Sequence, residues 1–150
     1  MKRTYQVFAY LIAVLVLVQA ALIVYAISAF GKYISDGATM TPAMINDQNN
    51  ATYPGAAAFG LHWFDGALII PVVAIIFLII SFFAKISGGT KWALSVFGLL
   101  VVQVALGFVT LVQPGVGWLH GVNAFLLFSV AVLAGYRVQV TEPVPDISLS

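Results

Sequence analysis

His62 and His120 are the only two imidazoles in the chain, and each follows a leucine in a stretch with almost no charge. Asp65 and Asn123 stand three residues after them. Glycines lie close by, Gly60 and Gly66 around His62, and Gly117 and Gly121 around His120. The chain has no cysteine, which excludes disulfides, thiolate metal centres and thioether attachment of a haem. Two imidazoles suit a haem iron, which takes one axial ligand on each face and needs no other protein ligand. Glycines beside the ligands would let a flat macrocycle approach the backbone. Zinc generally takes three or four protein ligands, and Asp65 is the only evident third. Two histidines with one carboxylate also resemble a non-haem iron triad, with nothing further in the sequence to support it. A plainer reading stands beside these. A histidine in a membrane helix can simply hydrogen-bond a neighbouring helix or sit at the interface, although polar groups at depth usually mark function.

Asp65 falls on roughly the same helix face as His62. An aspartate at the centre of a membrane helix costs about 2.5–3.5 kcal/mol on insertion scales. It is therefore expected to have a partner, and Asn123, a spare histidine N–H and Lys32 are the candidates. Gln19 and Gln103 are expected to make interhelical hydrogen bonds, worth about 0.6–2 kcal/mol each, rather than to touch a cofactor.

The elements that carry these residues are read from composition. The chain has 150 residues, is 62% hydrophobic and 7% charged, and has a mean hydropathy of +1.06. A soluble domain of this length cannot hide so much apolar surface. Crossing a bilayer core of about 30 Å takes roughly 20 helical residues. Four segments meet that length, at about residues 5–30, 57–84, 91–112 and 118–136. Their apolar runs are continuous rather than alternating, which predicts helices and not barrel strands. The fold class expected is all-α, a transmembrane four-helix bundle over residues 1–136 followed by a short tail, 137–150. The apolar stretch from Val7 to Phe30 exceeds the core of a signal peptide, so a retained first helix is expected although Ala26-Ile27-Ser28 could be cleaved. Pro71 should kink the second helix.

Five of the six basic residues, Lys2, Arg3, Lys85, Lys91 and Arg137, flank one side of the predicted spans, and Lys32 flanks the other. The positive-inside rule then places both termini in the cytoplasm and the polar loop 31–56 outside, in a protein of the cell membrane. Trp63 and Trp118 fall near the outer interface and Trp92 near the inner one, as in an aromatic belt. The net charge of +1 gives no reason to expect a nucleic-acid or anionic-lipid partner. Asn50-Ala51-Thr52 fits a glycosylation sequon, a pattern that also arises by chance.

The segments repeat. Val18–Leu22 (VQAAL) returns as Val102–Leu106 (VQVAL), and LHWFDGALIIPVV from Leu61 parallels LHGVNAFLLFSVA from Leu119. This register puts Gln19 on Gln103, His62 on His120 and Asp65 on Asn123. Each repeat is one helical hairpin, so two tandem hairpins should be related by a pseudo-twofold axis along the membrane normal. His62 and His120 would then enter from the same face, roughly 3–8 Å from the outer helix ends at 1.5 Å per residue, and face one another.

The stretch Gln103-Val104-Ala105-Leu106-Gly107, with Thr110-Leu111, Pro114, His120 and Asn123-Ala124-Phe125-Leu126-Leu127, resembles the haem A synthase family. That family has eight membrane helices in two four-helix halves, with facing histidines on the second and fourth helix of each half. The likeness covers one half, is most specific from Leu99 to Leu133, and extends to small four-span bacterial proteins with the same histidine spacing. Together with the family's histidine placement, the residues lead to the expectation of a single bis-histidine haem b per chain, ligated by His62 and His120, with Gly66, Gly117 and Gly121 beside the ligands and Asp65 and Asn123 behind them. The family's glutamate near the first histidine has no counterpart in these helices. Half-length members exist in archaea, so an oligomer could restore two sites.

Three functions follow as expectations. The first is a b-type haem protein that transfers electrons or serves as an accessory subunit of a respiratory complex. The second is a half-size, haem A synthase-like oxidoreductase working as a homo-oligomer. The third is a structural membrane subunit without a cofactor. In each the lipid bilayer is the surrounding partner.

Overall fold

A computed structural model describes residues 1–42, 44 and 52–140. The sequon, apart from Thr52, and the tail beyond Val140 lie outside the described residues. The chain is all-α, with four long apolar helices. Helix α1 spans Lys2–Ser35, α2 Ala56–Phe83, α3 Gly89–Val112 and α4 Gly117–Val140. A 3-10 turn, Pro114–Val116, joins α3 to α4. The helices overrun the apolar segments by a few residues, most of all α1 and the end of α4, where Arg137–Val140 continue the helix instead of starting the tail. Backbone hydrogen bonding does not stop where hydropathy does, so polar residues at an interface extend a turn already nucleated.

Only 11–28% of the most apolar window in each span is buried within the protein. The remaining apolar surface needs a non-aqueous solvent, as in a multi-pass membrane protein.

The chain forms two compact units, Leu15–Pro71 and Met1–Val14 with Val72–Ser150. The second unit holds a segment of every helix and is a four-helix bundle in itself. In it α1 buries Tyr5, Ala9 and Ile12, α2 buries Ala74, Phe77 and Ile80, α3 buries Ala93, Val96 and Leu100, and α4 buries Leu127, Ala131, Ala134 and Val138. These positions recur at three- and four-residue spacing, one stripe per helix. The many alanines let helices approach closely where no hydrophobic effect drives them together. Gly135 takes this furthest, since a Cβ there would stand 2.8 Å from the Tyr10 ring. Tyr5 Oη donates to the Gly89 carbonyl at 2.9 Å, tying α1 to the start of α3. Gln6 Nε2 donates to the Gly135 carbonyl at 3.1 Å. Arg137 lies over the Trp92 ring, 5.1 Å from its centroid, a cation–π contact joining the end of α4 to the beginning of α3.

The unit Leu15–Pro71 pairs the second half of α1 with the first half of α2. At its loop end, Gly55 has φ +90° and lies against the Ala26 backbone, where a Cβ would stand 2.8 Å from the carbonyl oxygen. Only glycine accepts both the left-handed backbone and the contact. Within α2 the turn Asp65–Ile69 is π-helical, and Ile70 N–H closes it on the Asp65 carbonyl. Pro71 follows at once. Its missing N–H and its ring, which would press on the carbonyl four residues back, are accommodated by a widened turn.

Candidate functional site: two Gln–His–Asx clusters

Each unit contains one histidine, bound in the same way. In the first, His62 Nδ1 lies 3.0 Å from the Gln19 carbonyl oxygen of α1. In the second, His120 Nδ1 lies 3.1 Å from the Gln103 carbonyl oxygen of α3. A carbonyl only accepts, so Nδ1 carries a proton in both rings, and in the neutral form of such a ring the lone pair is at Nε2. The repeat seen in the sequence is thus a repeat of contact: a glutamine one helix earlier holds the histidine through its backbone. Both imidazoles are half-buried. His62 is six residues after the start of α2 and His120 three after the start of α4, about 9 and 4.5 Å along their helices.

Around His62, Gln19 Nε2 donates to the His62 carbonyl at 2.7 Å and to Asp65 Oδ2 at 3.1 Å. The His62 carbonyl stands just ahead of the π turn, which offsets the helix from its α register. Asp65 is buried, and the donor to its carboxylate is Gln19. That residue is not among the partners expected for it: Lys32 instead pairs with Asp36 at 2.9 Å, and Asn123 gives its amide to Leu99 and Gln103. Around His120, Gln103 Nε2 stands 3.0 Å from the ring Nε2. Asn123 Nδ2 donates to Gln103 Oε1 at 2.7 Å and to the Leu99 carbonyl at 2.9 Å. Gln19 and Gln103 therefore make the interhelical bonds expected of them, and their partners are the two clusters.

The glycines divide. A Cβ on Gly66 would come within 3.1 Å of Gln19 Nε2, so the absent side chain makes room for the glutamine amide. Gly117 would be in ordinary contact with Thr110 at 3.5 Å, and Gly60 and Gly121 have nothing within 4 Å. The glycine pressed against a histidine is Gly107 of α3, whose Cβ would stand 3.3 Å from His120 Cε1. The sequence marks it only as part of a motif. Its position four residues after Gln103, on the same helix face, is the signal that could have found it.

Within each unit the donor set fits an iron porphyrin in one respect, the second nitrogen of the ring. Metal-bound histidines characteristically give their second N–H to a carbonyl or carboxylate, which fixes the ring and raises its basicity. Both rings here do so. Among the described residues no three or more His, Asp or Glu side chains gather to hold an ion by themselves. Comparisons with protein families, characterised proteins and solved structures return no match.

Proposed function

We propose that this is a membrane b-type haem protein, binding one haem b per chain with one imidazole Nε2 from each Gln–His–Asx cluster, His62 and His120, as the iron ligands. The observation that carries this reading is the duplicated Nδ1–carbonyl bond. It prepares both histidines in the tautomer that offers Nε2 to a metal. Bound between two imidazoles, the iron would supply one-electron exchange and have no open position for oxygen or substrate. Electron transfer, or service as an accessory subunit of a respiratory complex, fits such a site better than chemistry at the metal. The protein's own residues orient the two rings and, through apolar helices, exclude water. We place the protein in the cell membrane with both termini cytoplasmic, from its basic residues. Reporter fusions after Asn46 and Ser148 should read outside and inside.

The visible spectrum of the purified protein tests the haem reading. Wild type should take up haem with a low-spin spectrum, and His62→Ala or His120→Ala should lose it or turn it high-spin. An unchanged low-spin spectrum in both variants would exclude the histidines as ligands. A second reading, a cofactor-free structural subunit, draws on a different observation. No buried side-chain nitrogen or oxygen among the described residues lacks a partner, and His120 Nε2 is itself held by Gln103. Wild-type protein that never binds haem would favour that reading.

A further inference from the structure

The two clusters hold their glutamine amides in opposite directions. Asn123 Nδ2 carries two protons. One goes to the Leu99 carbonyl, an acceptor that identifies this atom as nitrogen. The other goes to Gln103 Oε1, which identifies the oxygen of that amide and leaves its nitrogen facing His120 Nε2. The ring's own proton is committed to the Gln103 carbonyl, so Nε2 is the acceptor. A chain anchored by backbone carbonyls at both ends has one consistent proton assignment. At the matching place in the other cluster stands Asp65, whose Oδ2 accepts from Gln19. Gln19 turns its nitrogen toward the His62 carbonyl and the Asp65 side chain. Asn123 thus sets the direction of the Gln103 amide, whereas the Gln19 amide is directed by the His62 carbonyl together with Asp65.

We propose that Gln103 is a latch on His120. Its amide covers the ring lone pair that would bind a metal or an electrophile, Asn123 holds the amide in that rotation, and Gln103 must swing away before His120 can become a ligand. Gln103 and Asn123 are positioning residues, acting through the imidazole. The relevance to cofactor loading rests on the haem reading above, whereas the latch belongs to the free protein and is open to test without haem. Replacing Asn123 by aspartate copies the arrangement around Asp65 and should turn the Gln103 nitrogen away from the ring.

The test is acylation of the free protein in detergent micelles by diethyl pyrocarbonate, which attacks the unprotonated ring nitrogen, with mass spectrometry resolving the two histidines. In Gln103→Ala and in Asn123→Asp, His120 should react about 3- to 18-fold faster than in wild type, the range that follows from the worth of interhelical hydrogen bonds in membranes. His62 in the same molecules is the internal control and should keep its rate. No acceleration at His120 in whichever variants fold, or an equal acceleration at both histidines, overturns the latch. Haem titration of the same proteins separates the two ideas. Faster acylation with no haem uptake by any of them, wild type included, supports the latch and removes the haem reading. Low-spin haem binding that needs both histidines, with acylation unmoved, does the reverse.

Discussion

Gly107→Ala isolates the contact that seats the His120 ring. The new Cβ would lie 3.3 Å from Cε1 and 3.6 Å from Nδ1 of His120, so the ring must retreat from α3 by a few tenths of an ångström. The ring is held by two contacts to Gln103 of that same helix, at 3.0 and 3.1 Å, and retreat stretches both toward the limit of a useful hydrogen bond. Weakening them forfeits about 0.6 kcal/mol, and at most about 1.7 kcal/mol, by the scale of interhelical bonds in membranes. Against this stands the gain from replacing a helical glycine by alanine, about 1 kcal/mol. Gly98 supplies the control: it is also within α3, and a Cβ there would have nothing within 4 Å. Gly98→Ala should therefore show the propensity gain alone, and Gly107→Ala should fall short of it by about 0.6–1.7 kcal/mol. Unfolding of the micellar protein in mixed detergent, followed by circular dichroism, measures the difference. Nitrogen-15 resonances of the His120 ring should move in Gly107→Ala and stay in Gly98→Ala. Equal stabilisation by both substitutions, with the ring resonances unmoved, would refute the reasoning.

Other outcomes follow from single contacts. Gly135→Ala drives a methyl to 2.8 Å from Tyr10 Cε1 and should destabilise by about 1–3 kcal/mol; in a double-mutant cycle with Tyr10→Ala most of that loss should vanish, and its persistence would show the cause lies elsewhere. Tyr5→Phe keeps the ring against Phe77, 4.6 Å between centroids, but strips the Gly89 carbonyl of its donor. A loss of about 1–2 kcal/mol is expected in the same unfolding assay, and a neutral result would mean that another donor replaces the phenol. Asp65→Asn removes a carboxylate near His62. If haem is bound, redox titration should find it retained with its potential raised, because one negative charge no longer favours the ferric state. Loss of the haem would instead make Asp65 necessary for holding the ligand.

Much of this protein is legible in its sequence alone, for a physical reason. Crossing a bilayer depends on apolarity summed over some twenty consecutive residues, and a helix is the local way to satisfy their backbone. The four spans therefore stand out in the composition, as does the register that matches Gln19 with Gln103, His62 with His120 and Asp65 with Asn123. Contacts are another matter. Which residue faces a histidine depends on the rotation of each helix about its axis, and small residues such as Ala93, Ala131 and Gly135 set that rotation through packing across the whole interface. Hence only the tertiary structure decided that the glutamines grip the histidines through their carbonyls, that Gly107 rather than Gly121 lies against the His120 ring, and that Gly66 makes way for Gln19. The opposed amides of Gln19 and Gln103 belong to the same class. The exchange of Asp65 for Asn123 is plain in the sequence, but the amide directions exist only because each glutamine stands within hydrogen-bonding reach, about 3 Å, of the groups that direct it.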